Sequence, residues 1–252
     1  MAKHPVALQL YSLREDAAHN FMGVLERTAK LGYQGVEFAG FGGLEGRELK
    51  LKLDELGMEA VGAHIGFDQL KTDLAGIARL SHEVGIPHVV CPAPYRGIGD
   101  TADSWKEFGR QLNDIGQALA KEGLRFGYHN HSFEFKQYDG AYGLDLLFAE
   151  TDPENVFAEL DLGWVFHAKV DPISYLEKYA DRCPLVHIKD FQDDGKQVEV
   201  GTGDLDLTGV LRASQTAGVE WLIIETEEYT MPPIDSVRVG LENVLETLEK
   251  LG

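Results

Sequence analysis

Cysteine is almost missing from this chain: Cys91 and Cys183 are the only two among 252 residues, far apart and without a Cys-x-x-Cys spacing. That excludes a disulfide framework and a thiolate metal site, and both thiols are expected as small buried apolar groups. Positive charge is scarce as well. Twenty-three Lys and Arg stand against 42 Asp and Glu, a formal charge of −19. Such a chain repels phosphate backbones and anionic lipid alike, so neither nucleic acid nor membrane is an expected partner. No run approaches the roughly 18 apolar residues of a bilayer span. The opening MAKHPVALQLYSLRED has one lysine and an apolar stretch interrupted by Gln9 and Ser12. A cytoplasmic protein is expected. Linkers, low-complexity tracts and composition breaks are also absent, so residues 1–252 are expected as a single domain.

What is present is a recurring unit, in which a helix-period stretch ends in glycine and a short apolar run follows at once. Gly32, Gly57, Gly85, Gly123 and Gly218 occupy that position, where a helix end favours positive φ. The apolar runs cover 6–13, 35–40, 58–66, 87–94, 124–131, 156–164, 184–191 and 221–228. Amphipathic stretches lie between them; the fifth is the shortest, at 143–151, and 237–252 closes the chain. Strands alternating with helices imply parallel βαβ units. Eight such units in this length predict an α/β fold, one (β/α)8 TIM barrel. A doubly wound open sheet is the competitor. It calls for a glycine fingerprint after the first strand, where this chain has Tyr11-Ser12-Leu13-Arg14.

In a barrel the C-terminal strand ends converge on one mouth, and here those ends are polar. They carry Glu37 on strand two, His64 on strand three, His129-Asn130-His131 with Glu134 beyond on strand five, and Glu159 and Asp161 on strand six. Strand seven brings His187, Lys189 and Asp190, and strand eight Glu225, Glu227 and Glu228. Side chains alternate, so Glu159 shares a face with Asp161, and His187 with Lys189. Carboxylates and imidazoles meeting without cysteine suit Mn2+, Mg2+, Co2+ or Zn2+. A dication also relieves the mutual repulsion of such acids. Asp161, His187 and Glu225 are the strongest ligand candidates, with one of His129, His131 and Glu134 closing the site. Glu227 and Glu228 read as solvated rim charges, and Glu159 as a partner for a lysine in the next layer.

Gln9-Leu10-Tyr11, the run from Gly127 to Phe135 (GYHNHSFEF), Leu160-Asp161-Leu162-Gly163-Trp164, Val186-His187-Ile188-Lys189-Asp190, Val200-Gly201-Thr202-Gly203 and Ile224-Glu225 follow in order along the chain. Together they resemble the sugar phosphate isomerase/epimerase family, within the xylose-isomerase-like TIM barrel superfamily. The resemblance implies a divalent metal, Mn2+ first, held by Glu, Asp, His and Glu from strands five to eight. Asp161, His187 and Glu225 match the last three. Strand five departs from the pattern, having Tyr128-His129-Asn130-His131 where epimerases have a glutamate. Glu134 is assigned as the fourth ligand, with His129 as the fallback. Trp164 stands where epimerases have a second histidine.

The chemistry that follows is removal of the proton beside a carbonyl through an enediolate. Glu134 and Glu225 form the expected acid–base pair. Lys189 would neutralise an oxyanion, His131 or His64 would position sugar oxygens alongside His129 and Glu37, and Trp164 and Phe67 would stack on the sugar. Return of the proton gives an isomerase or epimerase. Expulsion of a β-substituent gives a lyase or hydratase on 3-keto-sugars or keto-glycosides. The partner is a small-molecule sugar. A nuclease acting on abasic DNA is disfavoured by the charge, a catalytically silent binding barrel is the reading from another class, and a homo-oligomer stays open. Gly201-Thr202-Gly203 would cradle a phosphate or simply make a turn.

Overall fold

The computed structural model describes residues 4–94 and 98–252. Eight parallel strands form a closed barrel in chain order. They are β1 (Val6–Gln9), β2 (Gly35–Phe38), β3 (Glu59–His64), β4 (His88–Cys91), β5 (Arg125–His129), β6 (Phe157–Asp161), β7 (Leu185–Ile188) and β8 (Trp221–Ile224). β8 pairs with β1 through Val6 opposite Leu222, and this closure excludes the open sheet. Each apolar run holds one strand, but the strands stop earlier than the runs. In the first, the Gln9 side chain accepts from the Tyr11 backbone N–H, and Leu10–Leu13 winds into a 3-10 turn. In the sixth, the Asp161 carboxylate accepts from the Trp164 N–H and caps the helix Leu162–His167, which places Trp164 on a helix.

All five helix-ending glycines have positive φ. Outside the barrel, amphipathic helices such as Ala102–Lys121 and Pro233–Leu251 bury one face against the strands. Cys91 and Cys183 are buried and unpaired, as expected. Among the described residues no helix is long and apolar enough to cross a membrane.

Alternation along the strands separates an apolar base from a polar mouth. Ala7, Val61, Val90, Phe157, Leu185 and Ile223 form one buried cluster. Two residues beyond Phe157 on the same face comes Glu159, then Asp161; beyond Leu185 come His187 and Lys189. The register sets Asp161 opposite His187, and His187 opposite Ile223, so that Glu225 follows on the next strand.

Two excursions build the mouth. The short fifth unit, whose helix is Gly143–Ala149, is preceded by a 3-10 turn Phe133–Phe135 and a small hairpin, Gln137–Tyr138 with Ala141–Tyr142. After β7 the chain makes a second hairpin, Asp190–Phe191 with Gln197–Val198. The Asp190 carboxylate accepts the backbone N–H groups of Phe191, Gly201, Gly203 and Leu205. The Gly201-Thr202-Gly203 turn therefore folds around a side-chain anion of its own chain. A Cβ at Gly203 would lie 2.3 Å from Asp190 Oδ1, so this turn requires glycine.

Candidate metal centre

At the mouth, one ligand atom from each of His129, Asp161, His187 and Glu225 lies within 4.8 Å of all the others. All four side chains are buried. His64, His129, Glu159 and His187 make an overlapping group that shares His129 and His187 with the first.

Each central imidazole has a carboxylate behind it. His187 Nδ1 lies 2.9 Å from Glu225 Oε2, while its Nε2 lies 2.7 Å from Glu37 Oε2. Glu37 is fully buried and is held by a hydrogen bond from Gln9 Nε2. Likewise His129 Nδ1 lies 3.2 Å from Glu159 Oε2, and its Nε2 faces Asp161 Oδ2 at 3.9 Å. An imidazole backed by a carboxylate has its tautomer and ring orientation fixed and its outward nitrogen made more basic.

Several sequence expectations change. Glu37, expected to position the sugar, sits behind His187 with no exposure. Glu159 pairs with His64 at 2.8 Å and with His187 and His129, whereas the sequence suggested a lysine. Phe67 is buried edge-on against Phe108 and cannot stack on a ligand. Glu134 falls outside both ligand groups. It lies in the turn after β5, where strand parity no longer predicts direction, and its oxygens accept from Tyr128 Oη and the His131 backbone N–H. His129, the fallback, is in the group instead. Glu227 gains a place that its reading as a rim charge did not give it: it pairs with Lys189 Nζ and lines the cavity. The signal for it was its spacing of two from Glu225.

Charge balance explains how these acids coexist. Burial alone would lower the Lys189 ammonium, but Asp161, Glu225 and Glu227 hold it above the usual lysine range. Its Nζ lies 3.2 Å from both Asp161 Oδ2 and Glu225 Oε2. Burial would raise the Glu225 carboxyl, yet Lys189 and His187 keep it below the usual range. The Asp161 carboxyl is pushed up by burial, against the pull of Lys189. Burial, reinforced by His187 and His64, lowers His129 and favours the neutral imidazole that a cation requires. Burial likewise brings His131 down to about 4, with Lys189 adding to the effect.

The donor set fits a divalent cation. Asp161 Oδ2 is buried and makes no hydrogen bond among the described residues, and mixed imidazole and carboxylate ligands without thiolate suit Zn2+ or Mn2+. Replacing Glu37 with Gln should weaken Mn2+ binding by about 10- to 100-fold, because His187 loses its orienting carboxylate. Calorimetric titration checks this, and unchanged affinity would show that Glu37 has no part in holding the imidazole.

Burial pushes the Glu134 carboxyl up to about 8, against the hydrogen bonds from Tyr128 and His131. In the unfolded chain the same group ionises near its ordinary value of 4.5. The folded state therefore loses stability progressively as pH rises through that window, and the loss levels off above it. Glu134→Gln can accept from the His131 N–H with its oxygen and donate from its amide to Tyr128 Oη, so it should gain stability over the parent between pH 5 and 8 and hold that gain beyond. Urea midpoints across the range test this; a gap independent of pH would contradict it.

The cavity above the group has a volume of about 330 Å3, and its wall includes Tyr11, His64, His129, His131, Glu225 and Glu227. A closed eight-stranded barrel with imidazoles and carboxylates gathered at its C-terminal mouth is the architecture of a TIM-barrel enzyme. The chain belongs to the xylose isomerase-like TIM barrel family, which it matches over residues 25–248.

Among its relatives is an inosose dehydratase of Geobacillus kaustophilus (strain HTA426), 28% identical over 217 residues, covering 77% of this chain and 69% of the relative. The chain spans about half the length of several other inosose dehydratases that it matches. A sugar phosphate isomerase/epimerase from Parabacteroides distasonis ATCC 8503 superposes with a TM-score of 0.84 at 23% identity, over 98% of this chain and 96% of the other. The IOLI protein, solved with a bound zinc atom, does so with a TM-score of 0.79 at 13% identity, over 98% of both chains. At such identities the two structures share the fold with this chain.

Proposed function

We propose that this protein is a metal-dependent lyase that removes the proton beside the carbonyl of a keto-sugar and expels the substituent one carbon further on. The observation that carries this reading is the cavity's strand-five wall, which offers the imidazoles of His129 and His131 while the only glutamate of that segment is tied to Tyr128 and the His131 backbone. Isomerase-type chemistry between two facing carboxylates lacks its second carboxylate there. The relatives named inosose dehydratase point the same way.

His129, Asp161, His187 and Glu225 would hold the divalent ion, of which Mn2+ and Zn2+ suit the ligands best. When bound, it polarises the substrate carbonyl and stabilises negative charge on its oxygen. The chain's own groups do the rest. His131 faces the cavity, and its imidazole is placed to take the α-proton. Lys189, held cationic between Asp161, Glu225 and Glu227, sits at the edge of the group, where its charge balances an enolate oxygen. In a 3-keto-glycoside the α-proton leaves C2 and the C1–O bond breaks. The electron pair departs with the leaving oxygen, which takes up a proton, and an enone remains.

A second reading is an isomerase or epimerase. It is favoured by His131 and Glu225 lining the same cavity, since one could remove the proton and the other return it. Incubation with a 3-keto-glycoside and Mn2+ in D2O separates the two. Release of the aglycone supports the lyase, whereas deuterium in an intact ketose supports the isomerase. Neither event would refute both.

A further inference from the structure

Beside the cavity over the ligand group lies a second one, of about 530 Å3, whose wall includes Trp164, His167, Phe191, Gln197 and Glu227. Glu227 borders both cavities, so they meet at the Lys189–Glu227 pair. The wall of the second is aromatic on one side. The Trp164 and Phe191 rings lie 4.8 Å apart, as do His167 and Phe191, and Trp164 stands 5.1 Å from His167.

The same wall has two buried donors without acceptors. Phe191 and Gln197 are cross-strand partners in the hairpin after β7. Gln197 is 4% exposed, and its Oε1 accepts the backbone N–H groups of Glu227 and Glu228. That fixes which end of the amide is oxygen, and Nε2 is left with no partner among the described residues. Trp164 Nε1 is unpartnered as well. Two donors so placed are costly unless an acceptor arrives.

We infer that this second cavity binds the ring attached at C1 of the reacting keto-sugar: an uncharged ring with oxygen acceptors, stacked on Trp164, which Phe191 backs, and hydrogen-bonded by Gln197 Nε2 and Trp164 Nε1. The inference rests on the lyase reading, because only elimination requires a leaving group beside the sugar. Aromatic faces and N–H donors suit an oxygenated aryl ring and a second sugar alike. Glu227 and Glu228 in the wall are offset by Arg14, also in the wall, and by Lys189 beside Glu227, a balance that suits an uncharged ring.

Binding can be tested apart from turnover with methyl β-D-glucoside, phenyl β-D-glucoside and a glucosyl-glucose disaccharide, whose C3 hydroxyl leaves them inert to enolisation. Calorimetry on the Mn2+-loaded protein should show the phenyl glucoside or the disaccharide bound at least about tenfold more tightly than the methyl glucoside. Whichever of the two wins identifies the ring as aryl or sugar. Gln197→Glu keeps the accepting oxygen but loses the donor, and Trp164→Phe keeps a ring but loses the N–H. Each should shrink the preference by about three- to tenfold. Equal affinities for all three probes, no binding up to the solubility limit, or an undiminished preference in both variants would overturn the inference. Failure of the lyase reading shows separately, as no aglycone release from the 3-keto-glycoside.

Discussion

Asp161→Asn should lower kcat by about a thousandfold or more while leaving the barrel folded. Asp161 places one oxygen among His129, His187 and Glu225 and uses the other to cap the following helix through the Trp164 N–H. An asparagine oxygen can still accept that N–H, so the helix start survives. What goes is the anionic ligand, and with it much of the hold on an ion whose stabilisation of an enolate is worth several kcal/mol. About 4 kcal/mol corresponds to the predicted factor. Circular dichroism should match the parent, and Mn2+ should no longer raise the melting temperature. Activity within tenfold of the parent would remove Asp161 from the centre.

The second large effect concerns Lys189. Its ammonium is fully buried and meets three carboxylates, those of Asp161, Glu225 and Glu227. Lys189→Met removes the cation and leaves the acids uncompensated, so the metal-free protein should lose about 3–5 kcal/mol of stability. Added Mn2+ should return part of that loss, because it supplies positive charge at the same place. Turnover should stay about a hundredfold or more below the parent even when the ion is present, since the charge opposite the enolate oxygen is missing. Urea unfolding with and without Mn2+, alongside kcat, reads all three. A variant as stable as the parent without metal would show that the acids do not depend on Lys189.

The barrel was legible because its signals are local. Glycine after five of the helix-period stretches marks where the chain turns, and eight apolar runs each gave one strand. Asp161, His187 and Glu225 were legible for a related reason: the first two lie within β6 and β7 and the third directly follows β8, so strand parity still governs where each side chain points. Glu134 escaped that logic. It sits beyond β5 in a 3-10 turn, and its carboxylate swings toward Tyr128. Glu37 has the right parity, but sequence could not show that His187 and Gln9 enclose it. Gln197 gave no signal, since a hairpin of two-residue strands has no periodicity.

The most direct test is a crystal grown with Mn2+ and measured by anomalous scattering at the manganese edge. The account predicts one peak at the barrel mouth, bounded by His129, Asp161, His187 and Glu225, with Glu37 behind His187 and Glu134 still turned to Tyr128. A mouth without a peak under saturating Mn2+, or an ion held by other side chains, would contradict it.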